Sequence, residues 1–177
     1  GIPKFMDHPR ARVAEEERAR MGPGIIFRWL YKFGIKGTIS DIDGFYCDGI
    51  SAGLKTNGAL DMGFIYTDTP CEVESIFTLN KFQAAPLKHY QMYPNDFKTN
   101  FVLINSKNAN ALTGQEGIDN INTLFNSLNY PVTNPIMSST GVIGNPLPME
   151  KLITGANSFD LNAQNGENLS KAIMTTD

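Results

Sequence analysis

The chain has 177 residues, of which 41% are apolar, and a net charge of −3 at pH 7. This length supports one substantial hydrophobic core, and no apolar run approaches the roughly 20 residues that a membrane-spanning helix needs. Because the N-terminus lacks the residue order of a secretory signal and Cys47 and Cys71 lack metal-binding or CxxC spacing, we expect a soluble, cytoplasmic protein without a disulfide framework or a metal site.

The first 40 residues differ in composition from the rest of the chain. All arginines lie within residues 10–28, and acidic residues are interspersed among them. Residues 8–21 predict a charged helix with Asp7 as its N-cap, and residues 25–33 form a short apolar run that we expect to pack on the domain or on a partner. An interfacial membrane helix is the alternative for that run. We therefore divide the chain into an atypical leader, residues 1–40, and a domain, residues 41–177. The leader belongs either to the natural protein or to an added segment.

The middle of the chain alternates strand and turn signals. β-branched and aromatic residues lie between turn-forming residues, a pattern typical of strands. The predicted strands lie within residues 45–54, 62–67, 73–78, 101–104 and 135–137. We expect the first four to form one sheet.

Two helices are predicted in the second half of the chain. Residues 116–128 place apolar side chains at offsets of three, four and seven, which is the stripe of an amphipathic helix. Residues 164–176 predict a final helix, with Leu169, Ile173 and Met174 on its buried face. The order of strands and helices indicates an α+β fold, a layered α/β sandwich whose mixed sheet is covered by helices, rather than a helical bundle.

Thr140 and Gly141 are the most informative pair for chemistry, because they follow an apolar run and place a hydroxyl beside a glycine amide. Glycine lets the backbone approach a ligand closely. Two adjacent donors of this kind can stabilise the oxyanion of a tetrahedral acyl-transfer intermediate. The pair therefore predicts an oxyanion hole, with no attacking group identified from these residues.

Other polar residues leave more than one interpretation open. Residues 105–114 are rich in asparagine, which binds either its own turn backbone or a polar ligand such as an amino acid. The hydroxyls of Thr175 and Thr176 either cap a turn or bind a substrate, and capping is favoured without further context. His89 is expected to be a surface or hydrogen-bonded histidine rather than a catalyst, since a triad needs further partners.

Three ordered segments, residues 105–114, 138–151 and 172–177, resemble the ornithine acetyltransferase family, also called the bifunctional glutamate N-acetyltransferase or ArgJ family. Shorter matches accompany them. These lie at residues 44–45, 49–55, 77–81 and 84–86. The resemblance covers about residues 42–177 and implies the layered α+β fold of that self-processing family.

The resemblance also implies a reaction and partners. Members cleave themselves into α and β chains, and this chain resembles the α portion, so the nucleophilic threonine is expected beyond Asp177, at the start of a β chain. The implied assembly is an α2β2 heterotetramer, with this chain inactive alone. The implied reaction is ping-pong transfer of an acetyl group from N-acetylornithine to glutamate in arginine biosynthesis, without a cofactor, metal, nucleic acid or membrane. Acetyl-CoA is a further donor if the enzyme is bifunctional.

The resemblance assigns roles to residues of this chain. Thr140 and Gly141 match the oxyanion hole, supplying a hydroxyl and an amide hydrogen. Thr175 and Thr176 match the substrate-binding threonines, with Thr175 preferred. Asn108 and Asn110 are the predicted substrate-binding amides of residues 105–114.

Two residues depart from the family pattern. Lys107 stands where the family usually has glycine, and it is strained if the position needs a positive φ. Asp48 stands where a small apolar residue is usual. We interpret both as lineage variation, with altered acceptor preference or lost activity as the alternatives.

Two other functions compete with this one. The first is a related self-processing hydrolase with an N-terminal nucleophile, which releases the acyl group to water. The second is a non-enzymatic binding or interaction module, with residues 105–114 as its binding surface and the basic leader as a docking arm.

Overall fold

The computed structural model describes residues 37–175, which contain a four-stranded mixed sheet. The strands are β1 at Phe45–Ile50, β2 at Met62–Glu72, β3 at Lys98–Asn105 and β4 at Ile136–Ser139. They are ordered β1-β2-β3-β4, and neighbours are antiparallel except β3 and β4, which are parallel. The predicted mixed sheet is therefore confirmed.

Four α helices accompany the sheet in the described part of the chain. They are α1 at Ala85–Gln91, α2 at Gly114–Asn126, α3 at Met149–Ala156 and α4 at Gly166–Ile173, after a 3-10 helix at Ile39–Asp41. The helices predicted at residues 116–128 and 164–176 are confirmed as α2 and α4. The sequence patterns did not predict α1 or α3. The α+β fold is confirmed.

One face of the sheet carries the hydrophobic core. Its strand residues are Met62 and Phe64 of β2 and Phe101 and Leu103 of β3, each at most 1% exposed. Ile121 and Leu124 of α2 and Leu152 of α3 pack against them and are fully buried. Burial of each such side chain stabilises the fold by roughly 1.5–3 kcal/mol, so the stripe predicted for α2 covers the sheet as expected.

Helix α4 packs on the opposite face, over a pair of glycines. Gly49 and Gly63 are cross-strand partners in β1 and β2. A methyl group on Gly49 would overlap the Asn168 carbonyl group, and one on Gly63 would lie 2.8 Å from Leu169 Cδ1. The missing side chains therefore let the helix backbone lie directly on the sheet.

The buried face predicted for the last helix is only partly right. Leu169 is buried at 7% exposure, but Ile173 is 42% exposed and Met174 is 62% exposed. The second buried position belongs to Ala172. A small residue fits there because α4 lies so close to the glycines of the sheet.

The strand predicted at residues 73–78 is wrong. Strand β2 ends at Glu72, whose partner is Lys98, the first residue of β3. Beyond that pair β3 offers no partner backbone, so residues 73–84 form neither strand nor helix. Ile76 is 81% exposed there. High β-propensity does not form a strand without a neighbour to pair with.

Several predictions fall outside residues 37–175. They are the helix at residues 8–21, the apolar run at residues 25–33, and the role of Thr176. The domain limits, residues 1–40 and 41–177, stay a prediction. Within the described range no helix is long and apolar enough to cross a bilayer, and no group of three or more His, Cys, Asp or Glu residues could hold a metal ion.

Candidate functional site

At one end of the sheet, one residue from each of the four strands lies in a single row of paired residues. Ile50 pairs with Met62, Met62 with Asn105, and Asn105 with Ser139. The segments that leave this end are the β1–β2 turn (residues 51–61), the Asn loop (residues 105–114) and the Thr-Gly loop (residues 140–148). These segments overlap three of the sequence blocks that carry the family resemblance, so the fold gathers them in one place.

The Asn loop and the Thr-Gly loop are held together by backbone hydrogen bonds, which continue the parallel pairing of β3 and β4. Four N–H groups donate across the two loops: Thr140 to Asn105 (3.0 Å), Val142 to Lys107 (2.8 Å), Ala109 to Val142 (3.0 Å) and Gly144 to Ala111 (2.9 Å). The two loops therefore form one unit, with the Thr-Gly loop fixed against the Asn loop.

Thr140 and Gly141 keep free donors within this unit. The amides of Thr140 and Val142 are both used in hydrogen bonds, but the Gly141 N–H between them has no partner among residues 37–175. The Thr140 side-chain hydroxyl has none in the same range, and Thr140 is half-buried while Gly141 is exposed. The structure thus places two unused donors on adjacent residues, and their role as an oxyanion hole stays a prediction.

Gly141 must be glycine at this position. Its φ is +127°, a value that residues with a side chain rarely adopt, and a methyl group there would overlap the Lys107 carbonyl group and lie 2.7 Å from Lys107 Cα. The contact is with backbone, so it cannot be relieved by a rotamer change. The free amide therefore depends on the absence of a side chain.

The Asn loop is itself strained. Lys107 has a φ of 81°, Asn110 of 49° and Leu112 of 56°, and Gly114 follows at 61°. A non-glycine residue in this region costs about 1–3 kcal/mol and persists only where the surroundings enforce it. The sequence predicted that Lys107 is strained if its φ is positive, and its φ is positive.

The buried side chain of Asn105 enforces this shape. It is 0% exposed, and its amide nitrogen donates to the Asn108 carbonyl at 3.0 Å and to the Ser106 carbonyl at 3.2 Å. Its side-chain oxygen accepts a hydrogen bond from the Ser139 hydroxyl at 2.6 Å. One residue thus folds the start of the Asn loop back on itself and joins it to the end of β4.

Asn108 and Asn110 both use their side-chain amides to bind backbone carbonyls of this chain, at a half-buried and a fully buried position respectively. The Asn108 amide donates to the Pro146 carbonyl at 3.2 Å. Asn110 is 0% exposed, donates to the Gly117 carbonyl at 3.1 Å and accepts from the Thr113 hydroxyl at 2.8 Å. The sequence left two interpretations open, and these contacts are those of residues that bind the protein itself: Asn108 binds the Thr-Gly loop, and Asn110 binds α2 and Thr113. Their contact with a substrate stays a prediction.

Asp61 supports the β1–β2 turn and was not identified from the sequence. Its fully buried carboxylate accepts backbone N–H groups from Ala52 at 2.7 Å, Leu54 at 2.7 Å and Lys55 at 2.9 Å. Its backbone carbonyl accepts the N–H of Ser106 at 2.8 Å. Asp61 therefore links this turn to the Asn loop. The only sequence signal was an acidic residue between apolar neighbours.

Lys55 binds the end of the described chain to the β1–β2 turn. Its ammonium group donates to the carbonyls of Leu60 at 3.0 Å and Met174 at 2.8 Å. Thr175 directly follows Met174 and is exposed. The predicted substrate-binding Thr175 and the predicted oxyanion hole thus lie at the same end of the sheet, while Thr176 lies outside the described residues.

Asp48, the second departure from the family pattern, has a structural contact. Its carboxylate accepts the Gly49 N–H at 2.8 Å and the Asn168 side-chain amide at 3.2 Å. Asn168 belongs to α4, so Asp48 attaches that helix to β1. The interpretation of Asp48 as lineage variation stays a prediction.

His89 belongs to α1, and its side chain contacts α2 rather than these loops. It is 6% exposed, its Nε2 is 3.0 Å from the Asn122 side-chain oxygen, and its buried Nδ1 has no partner among the described residues. Burial lowers the pKa of His89, because a charged ring is poorly solvated there. These contacts are those of the hydrogen-bonded histidine that the sequence predicts.

The lowered pKa of His89 predicts a loss of stability in mild acid. Below about pH 6.5 the unfolded chain takes up a proton that the folded state resists, so the free energy of unfolding falls as pH falls. His89→Gln should lose less stability than the parent between pH 7.5 and pH 5.5, measured by urea unfolding of the full chain. Equal losses in the two proteins would contradict the prediction.

Known proteins are similar to this chain in sequence and in fold. The model of the ArgJ family matches residues 46–177. The arginine biosynthesis bifunctional protein ArgJ of Wolinella succinogenes is 46% identical over 148 residues, which is 82% of this chain and 37% of that protein. The ArgJ protein of Oceanobacillus iheyensis is 36% identical over 148 residues, 80% of this chain and 36% of that protein. The chain therefore spans little more than a third of the length of these relatives.

Two solved structures are also similar. The crystal structure of the ArgJ protein from Bacillus halodurans has a TM-score of 0.71 and 33% identity, covering 80% of this chain and 77% of that chain. The ornithine acetyltransferase of Mycobacterium tuberculosis, in complex with ornithine, has a TM-score of 0.65 and 29% identity, covering 79% of this chain and 80% of that chain. The similarity includes both the sheet and the helices around it.

Proposed function

Because the chain belongs to the ArgJ family, we propose that it is the α-chain portion of an ornithine acetyltransferase. In this proposal it acts with a β chain of the same precursor, in an α2β2 heterotetramer, and moves an acetyl group from N-acetylornithine to glutamate in the cytoplasm. The observation that carries the proposal is the pair of unused donors on Thr140 and Gly141, at the end of the sheet where the family's sequence blocks meet.

The reaction divides into two half-reactions. A β-chain threonine hydroxyl attacks the acetyl carbonyl, and its proton moves to the ornithine nitrogen as that nitrogen leaves. Glutamate then attacks the acetyl-threonine ester through its amino group, and the threonine oxygen leaves with a proton. Each step passes through a tetrahedral oxyanion, which the Thr140 hydroxyl and the Gly141 amide stabilise by hydrogen bonds.

Other residues of this chain hold the site in shape. Thr175 binds the amino-acid substrate. Lys55 holds Thr175 near the site, because it fixes the carbonyl of the preceding Met174 beside the β1–β2 turn. Thr176 belongs to the same substrate-binding pair. Asn108 and Asn110 serve the site chiefly by fixing the Asn loop, through their bonds to Pro146 and to Gly117.

Reconstitution with a β chain tests this function. The chain is co-expressed with the β chain of an ArgJ relative, and acetyl transfer from N-acetylornithine to glutamate is measured. Transfer that depends on both chains supports the proposal, and its absence from a properly assembled complex refutes it. Acetyl release that is equal with and without glutamate would favour the hydrolase instead. Replacing N-acetylornithine by acetyl-CoA tests whether acetyl-CoA is a second acetyl donor, because the relatives are named bifunctional proteins.

Thr140→Val should lower kcat of the assembled enzyme by about 100-fold. Valine keeps the shape of threonine but removes the hydroxyl donor, and losing one oxyanion donor costs about 2.7–4 kcal/mol. Because the hydrogen bond strengthens in the transition state, kcat and kcat/KM should fall together. Thr123→Val, an exposed position in α2, is the matched control and should retain full activity. Substrate binding that is unaffected by Thr140→Val, in a protein without transfer activity, would favour the binding module.

A further inference from the structure

Lys107 is the clearest outlier of the site. Its φ of 81° is one that glycine adopts without strain, and its carbonyl is held by the Val142 N–H at 2.8 Å. The close approach of Gly141 places the Lys107 backbone directly against the residue that carries the free amide. The base of an exposed lysine side chain therefore lies beside the proposed oxyanion hole.

The ammonium group of Lys107 is also unused. Lys55 and Lys151, the other lysines of this end of the sheet, both donate to carbonyls: Lys55 to Leu60 and Met174, and Lys151 to Gly53 at 2.9 Å. Among residues 37–175 the Lys107 ammonium group makes no hydrogen bond and no ion pair, although the backbone carbonyl of the same residue accepts the Val142 N–H. No contact of the Lys107 side chain among the described residues therefore offsets the strain of its backbone, and the ammonium group is free to bind a ligand.

A carboxylate is the ligand that fits a flexible, exposed ammonium group at this position. In an N-acyl amino acid the α-carboxylate is separated from the acylated nitrogen by a single carbon atom. When the acyl carbonyl occupies the oxyanion hole, that carboxylate lies within a lysine side chain's length of it. A glutamate acceptor brings a second carboxylate on its side chain.

We propose that Lys107 binds a carboxylate of the amino-acid substrate at the rim of the site, which makes it a specificity-determining residue. This inference rests on the proposed function, because it places the acyl group at Thr140 and Gly141. The charge attracts an anionic substrate and holds it through an ion pair that is sensitive to salt. It takes part in substrate binding and not in proton transfer.

Kinetics of three variants in the assembled complex test this role. Lys107→Gln removes the charge and keeps the backbone strain, Lys107→Gly removes both, and Lys107→Arg keeps the charge. We expect KM for glutamate to rise about tenfold in the first two variants with kcat within twofold, and to stay near the parent value in Lys107→Arg. Lys88→Gln, an exposed lysine of α1, is the matched control.

The two sources of the carboxylate give different patterns. If the α-carboxylate is bound, KM for N-acetylornithine and KM for glutamate rise together in Lys107→Gln. If the side-chain carboxylate is bound, only KM for glutamate rises. Either pattern supports the proposal, and values within twofold of the parent for both substrates would overturn it.

Direct binding separates this proposal from the proposed function. Calorimetric titration of the complex with N-acetylglutamate should show affinity at least fivefold weaker in Lys107→Gln than in the parent, and weaker in high salt. Lys107-dependent binding in a complex without transfer activity would reject the proposed reaction and leave the carboxylate site standing. Binding that is equal in parent and variant, or undetectable in the parent, would overturn the site.

Discussion

Gly141→Ala should lower the acetyl-transfer rate of the assembled enzyme by about a thousandfold or more. The added methyl group would overlap the Lys107 backbone, and neither loop can yield without breaking the hydrogen bonds that join them. The Gly141 amide must then move, and removal of one oxyanion donor alone lowers kcat by about 10²–10³. The measurement is kcat for transfer from N-acetylornithine to glutamate.

Gly144 provides the matched control for this change. It lies in the same loop with a φ of +84°, but a methyl group there would meet nothing within 4 Å. Gly144→Ala thus also places an alanine at a positive φ but without the collision, and we expect kcat within about threefold of the parent. Equal losses of activity in both variants would show that strain in the loop, rather than the position of the Gly141 amide, controls the rate.

Asp61→Asn should lower the free energy of unfolding by about 3 kcal/mol. The carboxylate accepts three backbone N–H groups in a fully buried place, whereas an amide side chain directs its own N–H donors at some of them. Hydrogen bonds to charged groups contribute about 1.5–3 kcal/mol each, and unsatisfied buried groups add a further cost. Urea unfolding of the full chain at pH 7.5 measures the difference.

Asp119→Asn is the control for Asp61→Asn, since Asp119 is exposed on α2 and receives only the Gln115 side chain. We expect its stability within about 0.5 kcal/mol of the parent. A loss below 1 kcal/mol in Asp61→Asn would mean that the β1–β2 turn keeps its shape without the carboxylate. In that case Asp61 would not be the support of the turn.

The sequence predicted those parts of the fold that local patterns determine. Helix α2 was predictable because its apolar residues repeat at helical spacing, and β3 because apolar residues lie between turn formers. Residues 73–78 have the same strand-like composition, but they lack a partner strand beyond Glu72. Pairing is a property of the tertiary structure, so composition alone could not separate the true strands from the false one.

The two missed helices have weak local signals. Helix α1 is seven residues long and begins after Ala84, which makes no side-chain cap, so its main signal is the proline in its first turn. Helix α3 follows Pro148, which likewise makes no side-chain cap. Both helices are short, and packing rather than sequence preference stabilises such helices.

Some residues of the candidate site could likewise be proposed from the sequence, and others could not. Thr140 and Gly141 could be proposed from the sequence because both donors belong to adjacent residues, so the prediction needs no fold. Lys55 and Asp61 could not be assigned roles, since those roles depend on contacts between segments distant in sequence. Lys55 and Met174, for example, are 119 positions apart.

The strained Asn loop has a consequence for the thermodynamics of ligand binding. Its unusual backbone angles are fixed by Asn105 and by hydrogen bonds to the Thr-Gly loop, so the loop is ordered before any ligand arrives. Ordering a flexible loop on binding costs conformational entropy. In the proposed function, a tetrahedral analogue of the acyl intermediate would therefore bind to a loop that needs little reorganisation, and most of its binding energy would appear as affinity.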